Sequence, residues 1–261
     1  MTFINRYTLS LVAMLCISLF SSCTNNDNET SSSSYPSSSS NDVSSSSIQF
    51  AISSSSSNPS SSSNLIQSGI IYGDSVTYQG EIYQTVVIGN QTWLDRNLNY
   101  VVEGSVCYNN DSINCDKYGR LYDWSTAMAL PDSCNSSTCF EIITTYQGIC
   151  PDGWHIPNDA EWTELTNFVG ANAGTKLKAK NGWSSYSGVP FGTDDYGFSA
   201  LPGGICNDGY FIAVGGYGYW WSASEDDSYL ADFRLMYHSL EDVYYYNDYK
   251  SLLFSVRCVK D

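Results

Sequence analysis

Cys150-Pro-Asp-Gly-Trp-His-Ile-Pro-Asn-Asp-Ala-Glu-Trp162 is the stretch on which the fold turns. Pro151-Asp-Gly153 reads as a turn. Trp154 places a large ring just ahead of a helix. Pro157 precedes Asn158, a favourable N-cap, and Glu161 follows at the spacing of a capping box. Trp162, Leu165, Phe168 and Val169 then recur on one helical face, and Gly170 ends the run. Far downstream, Phe254-Ser-Val-Arg-Cys-Val-Lys260 is a short strand pattern carrying another cysteine. A Cys150–Cys258 bond would tie the helix start to the last strand.

Upstream of this stretch the signals are mainly β. Ser75 to Gly80 and Glu81 to Ile88 read as strands, Gly89-Asn90 as a turn, and Gln91-Thr-Trp-Leu94 as a third strand. Tyr118 to Leu130 reads as a helix, with Leu121, Trp124, Ala127 and Met128 on one face and Pro131 as its stop. Downstream, Gly197 to Leu201, Gly218 to Ala223, Ala231 to Tyr237, Asp242 to Tyr246 and Leu253 to Val259 read as strands. Two helices early and many short strands late give an α+β domain over residues 70–261, its strands mixed and mostly antiparallel. About 190 residues are enough for one domain with a real core.

The chain holds nine cysteines. Cys16 and Cys23 fall in an N-terminal targeting segment. Arg6 supplies its positive charge, and Leu9 to Phe20 form an apolar run too short to span a bilayer. Ser21-Ser22-Cys23 resembles a bacterial lipoprotein signal over residues 1–22, with Phe20 departing from the usual Leu; Cys23 would carry the lipid. Of the remaining seven, Cys107 pairs with Cys115 by local spacing, Cys134 with Cys139, and Cys150 with Cys258. Cys206 is then the unpaired thiol. Disulfides suit an exported protein. A cysteine metal site is the weaker reading, because no CxxC occurs and the two histidines are far apart.

Residues 23–69 read as a serine-rich tether with too few apolar side chains to offset chain entropy. About 45 such residues would span roughly 35–40 Å r.m.s.. The expected protein is exported and lipid-anchored, at the outer membrane or cell surface, and meets the membrane only through that lipid.

A formal net charge of -16 argues against nucleic acid, which calls for clustered Lys and Arg. It argues equally against adhesion to anionic lipid. Tyrosine is abundant at 21 residues, beside seven Trp and ten Phe. Such rings serve strand faces and wet binding surfaces alike.

Several segments together resemble the Fibrobacter succinogenes major paralogous domain family. They are Gly89 to Leu98, Cys107 to Trp124, Gly148 to Pro157, Gly197 to Gly203, Tyr219 to Ala223 and Phe254 to Asp261. The resemblance spans the whole folded part, from about Tyr72 to Asp261. More distantly, Gly153 to Trp162 and Val256-Arg-Cys-Val259 are similar to segments of the formylglycine-generating sulfatase-modifying family. That likeness implies a C-type-lectin-like fold with its termini brought together.

An enzyme is not expected. The copper-binding cysteine pair of the distant family has no counterpart in Cys206 and Cys258. His155 stands where that family has Arg and reads as structural, His238 reads as exposed, and no Ser-His-Asp set can be placed. A glycosidase-like carboxylate pair among Asp194-Asp195 and Glu225-Asp226-Asp227 is the outside reading. The expected function is a non-catalytic binding or adhesion module, with plant polysaccharide as the sharper ligand. The alternative is a structural or protein-interaction surface lipoprotein without a small ligand. Trp183, Tyr217 and Tyr219 are the candidate stacking rings. Asp194, Asp195, Asp226 and Asp227 are the candidate calcium ligands, since hard oxygen donors suit that ion. No other cofactor is expected.

Overall fold

The computed structural model describes residues 65–67, 69–139, 146–188 and 192–261. The signal segment, Cys23 and nearly all of the tether lie outside the described residues. Among the described residues thirteen strands run in chain order. They are β1 (Leu65–Gln67), β2 (Ile70–Tyr72), β3 (Val76–Tyr78), β4 (Glu81–Tyr83), β5 (Thr85–Ile88), β6 (Gln91–Leu94), β7 (Trp154–His155), β8 (Ile205–Asn207), β9 (Tyr210–Ile212), β10 (Tyr217–Glu225), β11 (Leu230–Tyr237), β12 (Val243–Tyr249) and β13 (Val259–Lys260). The α-helices are α1 (Ser112–Tyr118), α2 (Trp124–Ala127), α3 (Asp159–Val169) and α4 (Ala173–Leu177). The domain is α+β, with every paired strand antiparallel and three disulfides. Strand β1 falls inside the stretch read as tether.

The largest sheet has the order β1-β2-β5-β6-β13-β7. The last strand therefore sits between an early strand and the Trp154 strand. Val259 lies opposite Trp93 on one side and His155 on the other. A second sheet has the order β10-β11-β12, and β3-β4 and β8-β9 form separate hairpins.

The capping box forms as expected. Asn158 Oδ1 accepts from Glu161 N at 3.0 Å, and Glu161 Oε2 accepts from Asn158 N at 2.9 Å. Trp162, Leu165 and Val169 are buried on the inner face of α3, but Phe168 is 55% exposed. Its ring turns outward against Gly89 and Tyr196. The bulged part of β10 receives the helix start: Ala223 N donates to Pro157 O and Asp159 N to Ser224 Oγ, both at 2.9 Å.

Three sequence readings need correction. The helix expected over Tyr118–Leu130 is not one helix. Helix α1 begins inside the Cys107–Cys115 loop, runs past it and stops at Gly119, which has φ +76°. A Cβ there would meet Asn97 Cβ and Leu98 O at 2.8 Å, so the position requires glycine. Leu121 then pairs with Val106 and Tyr122 with Phe254 as single bridges, and only the turn capped by Asp123 is helical. Gly197 to Leu201 is not a strand either: Ser199 has φ 50°, and only Ala200 makes a bridge, to Lys178. Of Leu253 to Val259, only Val259 lies in a strand. Leu253, Phe254 and Ser255 make single bridges to Cys206, Tyr122 and Trp220, because the segment threads between separate elements.

Two large apolar clusters form most of the core, beside a small one of Tyr108, Leu121 and Cys206. One gathers Tyr83, Tyr122, Trp124, Trp221, Phe233 and Phe254. The other packs α3 and α4 on the sheets through Trp93, Trp162, Leu177, Phe198, Trp220 and Met236. Trp220 and Trp221 are adjacent and fully buried, one in each cluster, as the alternation of a strand requires.

Candidate binding surface

The three-stranded sheet carries seven of the domain's exposed or partly exposed tyrosines, and its register sorts them onto two faces. On the first face Trp221, Phe233 and Tyr246 line up across the strands, as do Tyr219, Leu235 and Tyr244, with Tyr217 opposite Tyr237. Tyr217 and Tyr219 stack at 6.1 Å and 14°, and Tyr244 and Tyr246 at 6.4 Å and 10°. Tyr237 meets Tyr217 and Tyr244 edge-on. The structure thus brings the expected Tyr217 and Tyr219 together, as half-buried rings leaning on the first core cluster.

Trp183 does not stand at a loop tip. It is 6% exposed, packs in the second cluster, and donates from Nε1 to Ala200 O at 2.9 Å. Lys178 Nζ lies 5.1 Å from its ring centre and donates to Tyr237 O and Leu240 O. Burial pushes this lysine down to about 8. Trp183 is therefore part of the core wall.

The second face has a covered half and an open half. Trp220 and Met236 lie under α3. Beyond the helix, edge strand β12 presents Tyr245, Asn247 and Tyr249, alternate residues spanning roughly 13 Å at strand rise. Tyr245 is 51% and Tyr249 61% exposed. Strand β11 places Arg234 opposite Tyr245 and Asp232 opposite Asn247.

The polar groups beside these rings are tightly placed. Tyr245 OH donates to Asp232 Oδ1 at 3.0 Å. The Arg234 guanidinium lies 4.9 Å over the Tyr245 ring. Its Nη2 donates to Asp159 Oδ1 at 2.5 Å, Asp159 O at 3.0 Å and Thr163 Oγ1 at 3.2 Å. Asn247 Nδ2 donates to Asp226 Oδ2 at 2.8 Å. Burial, then the neighbouring carboxylates of Asp159 and Asp226, push the Asp232 carboxyl up to about 6. The Tyr245 phenol is pushed up to about 12 by burial and by Asp232.

The candidate calcium ligands fall in two loops. Asp194 accepts from Ser199 N and Ser199 Oγ, both at 2.8 Å. Asp195 is exposed beside it. Asp227 Oδ1 accepts from Tyr229 N at 2.7 Å and Leu230 N at 2.8 Å, bonds that hold its carboxyl below the usual range. Asp226 is engaged by Asn247. Among the described residues no three His, Cys, Asp or Glu side chains are grouped to hold a metal ion. Glu225 bonds to the buried Lys250 and accepts from Cys139 N at 3.2 Å.

The two histidines lie in different surroundings. His155 is 3% exposed and clamped between Asp261 Oδ1 at 2.6 Å and Glu161 Oε1 at 2.7 Å. His238 is half-buried rather than exposed, with Tyr186 and Tyr217 edge-on to its ring. The disulfides join Cys107 to Cys115, Cys134 to Cys139 and Cys150 to Cys258, and Cys206 is free and buried.

Tyr245, Asn247, Tyr249, Asp232 and Arg234 were not singled out as ligand groups from sequence. The signal that finds them is the alternation in Tyr244-Tyr-Tyr-Asn-Asp-Tyr249, which sends every second ring to the outer face. No curated protein and no solved structure matches the chain. Residues 86–260, from β5 through β13, match the Fibrobacter succinogenes major domain, and they include both sheets' central strands, the α3 start and the closing disulfide. The chain belongs to the Fibrobacter succinogenes major domain family.

Proposed function

We propose that this protein is an exported, lipid-anchored surface protein whose folded head is a non-catalytic binding module for polysaccharide. The observation that carries the reading is the exposed Tyr245–Asn247–Tyr249 stripe on an edge strand, with amide and carboxylate groups beside the rings. Pyranose rings present an apolar C–H face and a rim of hydroxyls, and flat aromatic side chains flanked by planar polar groups match both. The apolar run before Cys23 and the serine tether support display away from a membrane. We also assign the head to the C-type-lectin-like type; the support is that β13 inserts beside β6, drawing the last strand to an early strand of the domain.

Co-sedimentation of the full-length protein with cellulose, xylan and chitin, with and without a calcium chelator, tests this reading. Binding to at least one polymer is expected, unaffected by chelation and without release of sugar. A folded protein that binds none of them would remove the polysaccharide reading. Incorporation of labelled fatty acid that is lost in Cys23→Ser tests the anchor.

A further inference from the structure

We propose that the outer-face stripe takes an uncharged glycan, whose neighbouring hydroxyls are read by Asp232 and Asn247 while Tyr245 and Tyr249 stack on its rings. This rests on the polysaccharide reading and narrows it to a ligand class and a set of contacts.

The argument is one of unused hydrogen-bonding capacity. Arg234 is 3% exposed and stays under the patch, its guanidinium tied to Asp159 and Thr163. Asp232 spends Oδ1 on the Tyr245 hydroxyl, leaving Oδ2 as an acceptor. Asn247 is exposed and spends one Nδ2 hydrogen on Asp226, leaving its second N–H as a donor and its carbonyl oxygen as another acceptor. The patch therefore offers one donor and two acceptors next to two exposed rings. A pair of neighbouring hydroxyls accepts and donates at once, which fits that set.

Charged ligands fit worse. An anionic polymer would meet Asp159, Asp226, Asp227 and Asp232 on a chain of net charge -16. A cationic one would suit the carboxylates but would bring its ammonium groups against the like charge of Arg234, whose guanidinium lies 4.9 Å over the Tyr245 ring. The rings also favour a ligand with a flat apolar face, which an uncharged β-linked chain exposes along its length.

Titration calorimetry of the full-length protein with xylohexaose, cellohexaose, oligogalacturonate and chitosan hexamer tests the inference. The expected result is an uncharged oligosaccharide binding at least roughly tenfold tighter than either charged one. Tyr249→Ala should weaken it roughly tenfold, the scale of one lost stacking contact. Asn247→Ala and Asp232→Asn should each weaken it by about fivefold, the scale of a hydrogen bond. Tyr249 and Asn247 are exposed, so those variants keep the fold, and circular dichroism verifies it. Preference for chitosan or oligogalacturonate would overturn the inference while leaving polysaccharide binding intact. Uncharged binding that survives Tyr249→Ala and Asn247→Ala would place the site elsewhere and overturn it too. Absence of binding to all four, and to the insoluble polymers, would remove both readings.

Discussion

Asn97 Oδ1 accepts from Arg257 Nη2 at 2.8 Å, joining residues 160 apart in the chain at the centre of the fold. The same oxygen accepts from Trp220 Nε1 at 2.8 Å, and Asn97 Nδ2 donates to Tyr118 O at 2.8 Å. Arg257 is fully buried, bonds to Leu94 O and Phe198 O, and lies 4.3 Å over the Phe198 ring. Burial pushes its guanidinium down to about 9. The Asn97 side chain thus joins four of the segments that carry the family resemblance. Asn97→Ala would leave the Trp220 and Arg257 donors unmet and should cost about 3–5 kcal/mol, measured by denaturant unfolding. A loss under 1 kcal/mol would show that the network does not hold the core.

A second relationship predicts a pH dependence. His155 is held by Glu161 and Asp261, the two titratable groups that bond to its ring. Burial alone would lower its proton affinity, but the two hydrogen bonds and the two negative charges outweigh burial and raise it. The folded state therefore binds this proton more tightly than the unfolded chain does. The resulting stabilisation is fully present below the unfolded value, about 6.5, and is lost as pH rises through the folded value. Unfolding measured from pH 5 to 9 should show that decline in the wild type and a flatter profile in His155→Gln. Equal slopes would refute the assignment.

The disulfides should differ in weight. Cys150–Cys258 has a sequence separation of 108, against 5 for Cys134–Cys139. On loop-closure entropy the long bond contributes about 4–5 kcal/mol and the short one roughly 2. Replacing each pair with alanine and comparing unfolding midpoints checks the order. Cys206 is 3% exposed, so alkylation should reach it only after unfolding. Burial also raises its thiol above the ordinary range, which lowers its reactivity further.

Local chemistry made the α3 start, Gly89-Asn90 and the Cys107–Cys115 and Cys134–Cys139 bonds legible. A cap, a tight turn and a short cysteine spacing are all decided within a few residues. The Tyr118–Leu130 segment was not, although Leu121, Trp124, Ala127 and Met128 are all buried as its periodicity implies. Short apolar runs do not separate a helix from a set of single bridges. What separates them here is a backbone approach at Gly119 to Asn97 and Leu98, contacts distant in sequence. The proposed binding surface was half legible. Tyrosine abundance pointed to rings, but which rings stay exposed depends on how far α3 reaches across the sheet. It covers Trp220 and Met236 and leaves Tyr245 and Tyr249 open.

The buried pair of Glu225 and Lys250 gives the sharpest test of how the Cys134–Cys139 hairpin is fixed. Lys250 is 0% exposed and lies 4.8 Å over the Trp124 ring. Besides Glu225 it donates to Ser137 O and Ser228 O at 3.3 Å, while Glu225 also receives Cys139 N. The ion pair therefore clasps the hairpin to the turn between β10 and β11. Lys250→Met would strand the Glu225 carboxylate in a dry site and should cost about 3–5 kcal/mol. Glu225→Gln with Lys250→Met removes both charges and should cost clearly less than the two single changes added together. A double-mutant cycle by denaturant unfolding measures the difference. Strict additivity would mean that the two side chains are not coupled and that the disulfide alone holds the hairpin.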